Sequence, residues 1–260
     1  MEVLHESIYD HPRWYDMVFG SDCAAEIRFI EGCAKKYYAR KLKRLLEPAC
    51  GTGRLMVRFA KRGYQIGGLD LNAHAVDFCN NRLIKAGYKP TAWIADMTNF
   101  NVKYPFDVAF NTINSFRHLS TELAATDHLR AVAKSVKLGG LYLLGFHLTP
   151  TEGIPQDSEA WSVGRGHLSI QTCMWPIKKL PRKRQERFGI RFDIRTPTQH
   201  LRINDELRLR SYTASQAKQL IDNAGHWEIA ATYDFHYDLR KPVEIGPRSE
   251  DVVFVLKRIS

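Results

Sequence analysis

The sequence predicts an α/β protein built on a doubly wound parallel sheet, with a small antiparallel β insertion after the fifth strand. Two observations carry this prediction. From Leu45 to Phe146, short apolar segments with strand character alternate with segments of helical period. Such alternation is typical of a parallel sheet covered by helices on both faces. Beyond about residue 155, apolar residues recur at every second position, which is the period of a half-buried antiparallel strand.

The alternating region supplies the first five strands, predicted at 45–47, 64–70, 91–95, 106–111 and 141–146. The helices between them are predicted at 55–60, 72–87 and 121–137. Asn72 has the side chain of a helix N-cap, and Gly87 suits a helix end. Gly139 and Gly140 are expected to form the turn that precedes the fifth strand. Ligands bind such sheets at the carboxyl ends of the strands.

The regions on either side of this alternation have their own patterns. Residues 1–40 are predicted to be helical, and Pro12 suits a helix start. Residues 155–212 are predicted to form the insertion, with Asn204-Asp205 as a hairpin turn. Thr213 is expected to cap a helix, after which two last strands complete the sheet.

Three domains follow from these elements. The first is an N-terminal helical cap, residues 1–40. The second is the main domain, residues 41–154 and 213–260. The third is the antiparallel β insertion, residues 155–212, expected to cover a binding site at the edge of the main sheet.

Composition places the chain among ordinary soluble proteins, with 44% hydrophobic and 25% charged residues. No apolar run approaches the roughly 20 residues needed to cross a bilayer, and no secretory signal is visible. The five cysteines are scattered and form no C-x-x-C pair. We therefore expect a reducing, cytoplasmic protein without a disulfide framework, a zinc site or a membrane partner.

The formal net charge is +10, and part of the excess lies between Lys178 and Arg191. A strongly basic surface is compatible with an anionic partner such as RNA or a phosphorylated substrate. A solvated basic loop would account for the same residues without any partner.

The segment from Leu46 to Gly53 is the most informative in the chain. A predicted strand ends in the carboxylate of Glu47, and Pro-Ala-Cys-Gly-Thr-Gly follows before a helix. A dinucleotide site would have a third glycine where Met56 stands, and Glu47 would lie near its phosphates. A phosphate-binding loop of the P-loop type would need Gly-Lys-Ser or Gly-Lys-Thr, which is absent. A ligand without phosphate but with an ammonium and a sulfonium suits an acidic strand end.

This segment closely resembles the first motif of the class I S-adenosylmethionine-dependent methyltransferases. That motif has an acidic residue, two positions for small residues and then G-x-G. Cys50 stands where glycine is frequent in the family, and its side chain is small. The resemblance implies a Rossmann-like doubly wound sheet of seven strands with a reversed final strand. It also implies S-adenosylmethionine as the cofactor and S-adenosylhomocysteine as the product.

The resemblance further implies roles for the residues at successive strand ends. The glycine loop would hold the methionine part of the cofactor, and Asp70 would accept the ribose hydroxyls. Asp96 would receive the adenine amino group, and Met97 would meet the ring through its backbone. The cofactor-binding residues implied in this way are Glu47, Ala49, Cys50, Gly51, Thr52, Gly53, Asp70, Leu71, Asp96, Met97, Asn111, Tyr9 and Tyr15.

Tyr9 and Tyr15 belong to a segment that resembles the cap over the cofactor in small-molecule methyltransferases. An amphipathic core helix is the alternative interpretation of the same residues. His118 and His147 follow the fourth and fifth strands and are candidate general bases, although each is also compatible with a structural role. Methyl transfer to a nucleophile by in-line displacement requires no metal, and no cluster of metal ligands is visible.

The leading hypothesis for the acceptor is N or O of a small molecule. The insertion resembles that of glycine and amino-sugar N-methyltransferases. Candidate substrate residues are Trp175, Arg210 and Tyr212, with core packing as the alternative for each. An RNA or protein methyltransferase that uses the basic surface is the second hypothesis, and a non-catalytic cofactor-binding module is the third. The oligomeric state is left open, with a homodimer as one arrangement.

Overall fold

The computed structural model describes residues 1–20, 23–153 and 158–260. Its strands are β1 (Glu2–His5), β2 (Arg44–Pro48), β3 (Gln65–Asp70), β4 (Ala92–Ile94), β5 (Phe106–Asn111), β6 (Val136–His147), β7 (Glu159–Arg165), β8 (Leu168–Leu180), β9 (Gln185–Arg195), β10 (His200–Arg210), β11 (Trp227–Tyr233) and β12 (Asp251–Arg258). Its α-helices are α1 (Pro12–Phe19), α2 (Ala24–Tyr37), α3 (Met56–Lys61), α4 (Ala73–Lys85), α5 (Glu122–Ser135) and α6 (Ala214–Ala224). Short 3₁₀ helices lie at Ile8–Asp10, Ser115–His118 and Pro181–Lys183.

Seven of the described strands form the main sheet, in the order β11-β12-β6-β5-β2-β3-β4. The final strand, β12, runs antiparallel to both of its neighbours, while β2 to β6 pair in parallel. This confirms the predicted Rossmann-like, doubly wound sheet with a reversed final strand. β2 pairs with β3 on one side and with β5 on the other, so the order of the strands reverses at β2. The carboxyl ends of β2 and β5 therefore flank the point at which such sheets bind ligands.

The two faces of the main sheet belong to separate apolar cores. Leu45 packs with residues of α2, α3 and α4, whereas the next residue, Leu46, packs with residues of α5 and α6. Both leucines are fully buried. Because helices cover both faces, successive residues of these strands are apolar without alternation.

The local signals for helix ends mostly behave as predicted. The Asn72 side chain accepts a hydrogen bond from the Ala75 amide at the start of α4. Thr213 and Gln216 form a reciprocal capping box at the start of α6. Pro12 is the first residue of α1.

The insertion sheet consists of five described strands in the order β1-β10-β9-β8-β7. Apart from β1, which is parallel to β10, the strands pair antiparallel. One face carries Ile190, Phe192 and Ile194, which pack with Val18 of α1 in a third apolar core. The N-terminal segment is thus joined to the insertion by both a strand and a helix. The predicted start of the insertion at residue 155 lies outside the described residues.

Residues 1–40 are not helical throughout, because β1 adds a parallel edge strand to the insertion sheet. Its four residues are too few to show a period of two, so the pairing is decided by the partner strand. The predicted hairpin at Asn204-Asp205 is also wrong, since both residues lie within β10. Asp205 instead accepts hydrogen bonds from the Ile8 and Glu206 amides through its side chain. The turn lies between β9 and β10, where the Thr196 amide donates to the Gln199 carbonyl.

Two other expectations are corrected. Gly139 and Gly140 lie inside β6 and do not precede it, and the pairing of β5 with β6 shifts register there. The basic stretch between Lys178 and Arg191 is no loop, because it forms the end of β8, a 3₁₀ turn and the start of β9. Arg187 in this stretch pairs with Glu206 of β10. A cross-strand carboxylate therefore neutralises part of the positive charge of this stretch.

Candidate active site

The glycine loop between β2 and α3 has a backbone that only small residues adopt easily. Ala49, Gly51 and Gly53 all have positive φ, at 53°, 52° and 70°. A β-carbon on Gly53 would lie 2.2 Å from the Cys79 sulfur of α4, so glycine is needed there for space as well as conformation. The loop is bonded to β3 because the Cys50 amide donates to the Leu69 carbonyl at 2.9 Å.

Asp70 at the end of β3 holds the loop from the other side. Its carboxylate accepts hydrogen bonds from the Gly51 amide at 2.8 Å and the Asn72 amide at 2.9 Å, one on each oxygen. Burial raises the pKa of Asp70, and the hydrogen bonds from the backbone oppose this shift. A carboxylate has about four lone-pair sites, so it retains capacity to accept a hydrogen bond from a ligand.

Several predicted cofactor residues lie behind the loop and not in front of it. Glu47 is buried, and its pKa is raised well above the usual range by that burial, with the positive charge of Arg54 opposing the shift. Asn111 is buried as well, and its amide donates to the Pro48 carbonyl at 3.0 Å. Glu47, Cys50, Gly53 and Asn111 are therefore not among the residues that line the cavity in front of the loop.

A cavity of about 870 Å³ opens in front of the loop, at the carboxyl edge of the main sheet. This volume lies in the upper part of the usual range for ligand sites, about 300–1,000 Å³. Ten of the predicted residues contact it: Tyr9, Tyr15, Ala49, Gly51, Thr52, Asp70, Leu71, Met97, His118 and His147.

One side of the cavity is an apolar slot next to Asp70. It contains Leu71, an exposed leucine at a strand end, together with Ala95 and Met97. Asp96 does not line the cavity; one of its oxygens accepts hydrogen bonds from the Thr98 amide and hydroxyl, each at 2.8 Å. The structure therefore brings Met97 to the cavity and leaves Asp96 beside it.

A buried histidine that the sequence analysis did not select supports the Met97 segment. His128 Nδ1 lies 2.9 Å from the Met97 carbonyl, and Nε2 lies 2.6 Å from the Tyr142 hydroxyl. Burial lowers the pKa of His128 to about 4, which keeps the ring neutral at pH 7. In a neutral ring one nitrogen donates and the other accepts, which matches a carbonyl on one side and a hydroxyl on the other.

The N-terminal segment covers the cavity and is fastened on both sides. The Asn72 amide group donates to the Tyr9 carbonyl at 3.1 Å and to the Asp10 carboxylate at 2.9 Å. From the loop, the Thr52 hydroxyl donates to Asp16 of α1 at 2.8 Å. Arg82 of α4 forms an ion pair with the same Asp16 carboxylate.

Tyr9 and His118 meet across the cavity, with 3.0 Å between the phenol oxygen and Nε2. Burial raises the pKa of Tyr9 well above its usual value. Burial, together with the charge of Arg117, lowers the pKa of His118. The His118 ring faces the cavity and is otherwise surrounded by protein. The Tyr9 phenol and the His118 imidazole are therefore both neutral at pH 7. Tyr15, whose ring lies 5.3 Å from that of Tyr9, has its pKa raised to about 12 by burial.

His147 lies at the end of β6 and also contacts the cavity. Its backbone amide donates to the Asn114 side chain at 3.2 Å, and its ring lies 5.0 Å from that of Phe235. Burial and the charge of Arg117 lower the pKa of His147, while the nearby carboxylates of Asp251 and Glu159 oppose the shift.

The insertion sheet supplies the remaining wall of the cavity, through residues that the sequence analysis did not select as site residues. These residues are Glu159, Trp161, Met174, Ile190, Leu207 and Leu209. The alternation of apolar residues in β9 and β10 marks a buried face, but alternation alone cannot distinguish a cavity wall from a core.

None of the three predicted substrate residues lines this cavity. Met174 and Leu209 face it, so the next residues, Trp175 and Arg210, lie on the opposite face of the strand. Arg210 donates to the Glu122 carboxylate at 2.6 Å and to the Ser120 carbonyl at 3.0 Å.

Tyr212 is fully buried among aromatic side chains, including Phe116 and Phe146, whose rings lie 5.6 and 5.4 Å from its own. The three predicted substrate residues Trp175, Arg210 and Tyr212 therefore lie outside this cavity. Within the described part of the chain, no group of three or more His, Cys, Asp or Glu side chains is arranged to hold a metal ion. No helix in the same residues is long and apolar enough to span a membrane.

Comparison with known proteins agrees with this geometry. A family model described as "Methyltransferase domain" matches residues 45–140, which include the glycine loop, Asp70 and β5. A protein of Geobacillus sp. (strain WCH70), named "Putative methyltransferase", is 27% identical over 248 residues, which cover 94% of this chain and 97% of that protein.

Solved structures share the fold over nearly the whole chain. An S-adenosylmethionine-dependent methyltransferase from Clostridium acetobutylicum ATCC 824 aligns with a TM-score of 0.78 at 18% identity, covering 96% of this chain and 98% of that one. CalS10, an amino pentose methyltransferase of Micromonospora echinaspora solved with S-adenosylmethionine bound, aligns with a TM-score of 0.71 at 19% identity, covering 99% of both chains. Residues 45–140 therefore match a methyltransferase domain, and the whole chain shares the fold of solved S-adenosylmethionine-dependent methyltransferases.

Proposed function

We propose that the protein transfers a methyl group from S-adenosylmethionine to N or O of a small-molecule acceptor. The observation that carries the proposal is the cavity of about 870 Å³ at the carboxyl edge of the main sheet, with Asp70 and the glycine loop on its wall. The volume has room for a nucleoside and an acceptor together.

The residues present fit the cofactor. The Asp70 carboxylate contacts the cavity and retains acceptor capacity for a ribose hydroxyl. The slot of Leu71, Ala95 and Met97 next to it is apolar and suits a flat base. The glycine loop, with its positive φ angles, lets the backbone approach the amino-acid end of the ligand.

When bound, S-adenosylmethionine supplies a methyl group on a positively charged sulfur. This chain's residues would orient the two reactants and exclude water, which is the main source of rate in such a displacement. The N-terminal segment, held by Asn72 and Thr52, would close over the nucleoside, and the insertion sheet would cover the acceptor.

His118 is the residue best placed to take a proton from the acceptor. It contacts the cavity, and its lowered pKa keeps it able to accept a proton at pH 7. Tyr9 fixes the orientation of the ring through the hydrogen bond to Nε2. A general base of this kind contributes about 10²- to 10⁴-fold to a reaction rate.

The enclosure of the cavity by α1 and the insertion sheet supports a small acceptor over an RNA or a protein. CalS10 acts on an amino pentose, and its fold covers the same length of chain. Calorimetry with S-adenosylhomocysteine and detection of that product in a reaction with a metabolite extract test the proposal. Absence of S-adenosylhomocysteine binding would overturn it.

A further inference from the structure

The acceptor side of the cavity is apolar. The insertion sheet contributes Trp161, Met174, Ile190, Leu207 and Leu209 to this wall, and α1 contributes Phe19. Burying apolar ligand surface against such a wall contributes about 25 cal/mol per Å². A sugar ring, whose hydroxyls would lose water here, gains little from these side chains.

The charged groups on the cavity wall point to the charge of the acceptor. Although the chain carries a net charge of +10, no lysine or arginine is among the described residues that line the cavity. The carboxylates on this wall are Asp70, on the nucleoside side, and Glu159, on the edge strand β7. A phosphorylated or carboxylated acceptor would therefore meet negative charge without a cation to pair with.

Glu159 is available to a ligand. Its side chain is exposed, and no ion pair with another described residue accounts for its charge. It lies close enough to His147 to oppose the fall in that histidine's pKa. Among the described residues, the cavity wall thus combines the Glu159 carboxylate, the neutral imidazoles of His118 and His147, and the apolar side chains of the insertion sheet.

We infer that the acceptor is a primary or secondary amine on an apolar body without phosphate or carboxylate, and that Glu159 binds its ammonium form. The inference rests on the proposed function and names the substrate class of the same site. The apolar side chains of the insertion sheet take the body of the amine. Cation binding by a carboxylate in a partly enclosed site is a charge-assisted hydrogen bond, about twice as strong as a neutral one.

Methyl transfer to the amine takes place by loss of a proton and then displacement at the methyl carbon. The ammonium loses a proton to the neutral His118 imidazole, which passes it to solvent. The nitrogen lone pair then forms the new N–C bond to the methyl carbon while the S–C bond breaks. The electron pair of that bond stays on sulfur and cancels the sulfonium charge, and the methylated nitrogen carries the positive charge.

Turnover of matched acceptors tests the inference. The full-length protein is assayed with S-adenosylmethionine and hexylamine, phenethylamine or tryptamine, and S-adenosylhomocysteine release is measured. The comparison acceptors are 2-phenylethanol, which replaces the amine by a hydroxyl, and glucosamine, which keeps the amine on a polar body. We expect kcat/KM for at least one apolar amine to exceed both comparison acceptors by about tenfold or more.

The Glu159→Gln variant removes the negative charge of the side chain and keeps its size, so it tests the charge without changing the packing. We expect it to raise KM for the preferred amine about tenfold, with kcat within about threefold and with S-adenosylhomocysteine affinity unchanged. Glu152→Gln is the matched control, because Glu152 pairs with Arg248 on the surface and does not line the cavity. Trp161→Ala is expected to raise KM for phenethylamine more than for glucosamine.

The outcomes distinguish this inference from the proposed function. Equal turnover of amine and alcohol, preference for glucosamine, or identical behaviour of the Glu159 and Glu152 variants overturns the inference. Binding of S-adenosylhomocysteine without turnover of any apolar amine overturns it too, and leaves cofactor binding standing. Failure to bind S-adenosylhomocysteine overturns the proposed function itself.

Discussion

Single side chains in this protein join segments that are distant in sequence. The Asp70 carboxylate bonds the glycine loop, through Gly51, to the start of α4, through Asn72. His128 does the same in the core, between the Met97 segment and Tyr142 of β6. Burial raises the pKa of Asp70 and lowers the pKa of His128. The effects of substituting Asp70 and of changing the charge of His128 can therefore be predicted.

We expect Asp70→Ala to weaken S-adenosylhomocysteine binding by about 10- to 100-fold, because hydrogen bonds to a charged group contribute about 1.5–3 kcal/mol each. Calorimetry measures the affinity. Asp77→Ala is the control, since Asp77 is exposed on α4 and does not line the cavity. Equal affinity in the two variants would contradict the role given to Asp70.

The pH dependence of stability follows from His128. Its pKa is about 4 in the folded protein and 6.5 in the unfolded chain, so the unfolded state binds more protons between these values. The contribution to the free energy of unfolding is complete above pH 6.5 and falls by about 3 kcal/mol as the pH approaches 4. Urea denaturation at pH 7 and pH 4.5 measures it.

The His128→Asn variant isolates this term from other titrating groups. The variant has no imidazole, so we expect the difference in unfolding free energy between wild type and variant to shrink as the pH falls. A difference that stays constant from pH 7 to pH 4.5 would show that His128 is not the group responsible.

At the scale of elements, local patterns predicted most of the main sheet and misplaced parts of the insertion. Strands β2, β3, β5 and β6 have apolar runs long enough to be recognised, because most of their residues are buried on both faces. Strand β1 has four residues and depends on β10 for its pairing. Asn204 and Asp205 favour turns in isolation, but both pair with β9, and Asn204 also pairs with β1. This tertiary pairing overrides the local preference.

The two glycines of the loop differ in what surrounds them, and this gives a matched pair of variants. Gly51→Ala places a β-carbon in open space at a positive φ, so we expect a loss of about 1–2 kcal/mol from backbone strain alone. Gly53→Ala carries the same strain and also collides with Cys79. We expect Gly53→Ala to lower the melting temperature further than Gly51→Ala. Equal melting temperatures would contradict the close packing of the loop on α4.

At the scale of the whole molecule, three parts of the chain converge on one cavity: the main sheet, the N-terminal segment and the insertion sheet. The net charge of +10 lies elsewhere, since no lysine or arginine lines the cavity among the described residues. Several of the basic side chains pair with carboxylates on the insertion sheet, as Arg187 does with Glu206 and Arg202 with Asp193. The charge therefore says little about the acceptor.

Because the cavity exists only in the folded molecule, a ligand that fills it stabilises the fold. S-adenosylhomocysteine at 100 times its dissociation constant is expected to add about 2.7 kcal/mol to the unfolding free energy. For a chain of this length that corresponds to a rise in melting temperature of about 5–10 °C. Thermal denaturation followed by circular dichroism measures the rise, with adenosine diphosphate as the control ligand. An unchanged melting temperature would contradict a cofactor site in this cavity.

The amino-acid sequence was enough to predict the order of strands and helices in the main domain, the glycine loop and the acidic strand end at Asp70, because these depend on residues close together in the chain. Only the tertiary structure decided which side chains face one another. Tyr9 and His118 are 109 positions apart, and their contact requires the N-terminal segment to lie over the carboxyl edge of the main sheet. Likewise, Met174 and Trp175 are neighbours in sequence, but strand geometry sends one to the cavity and the other away from it.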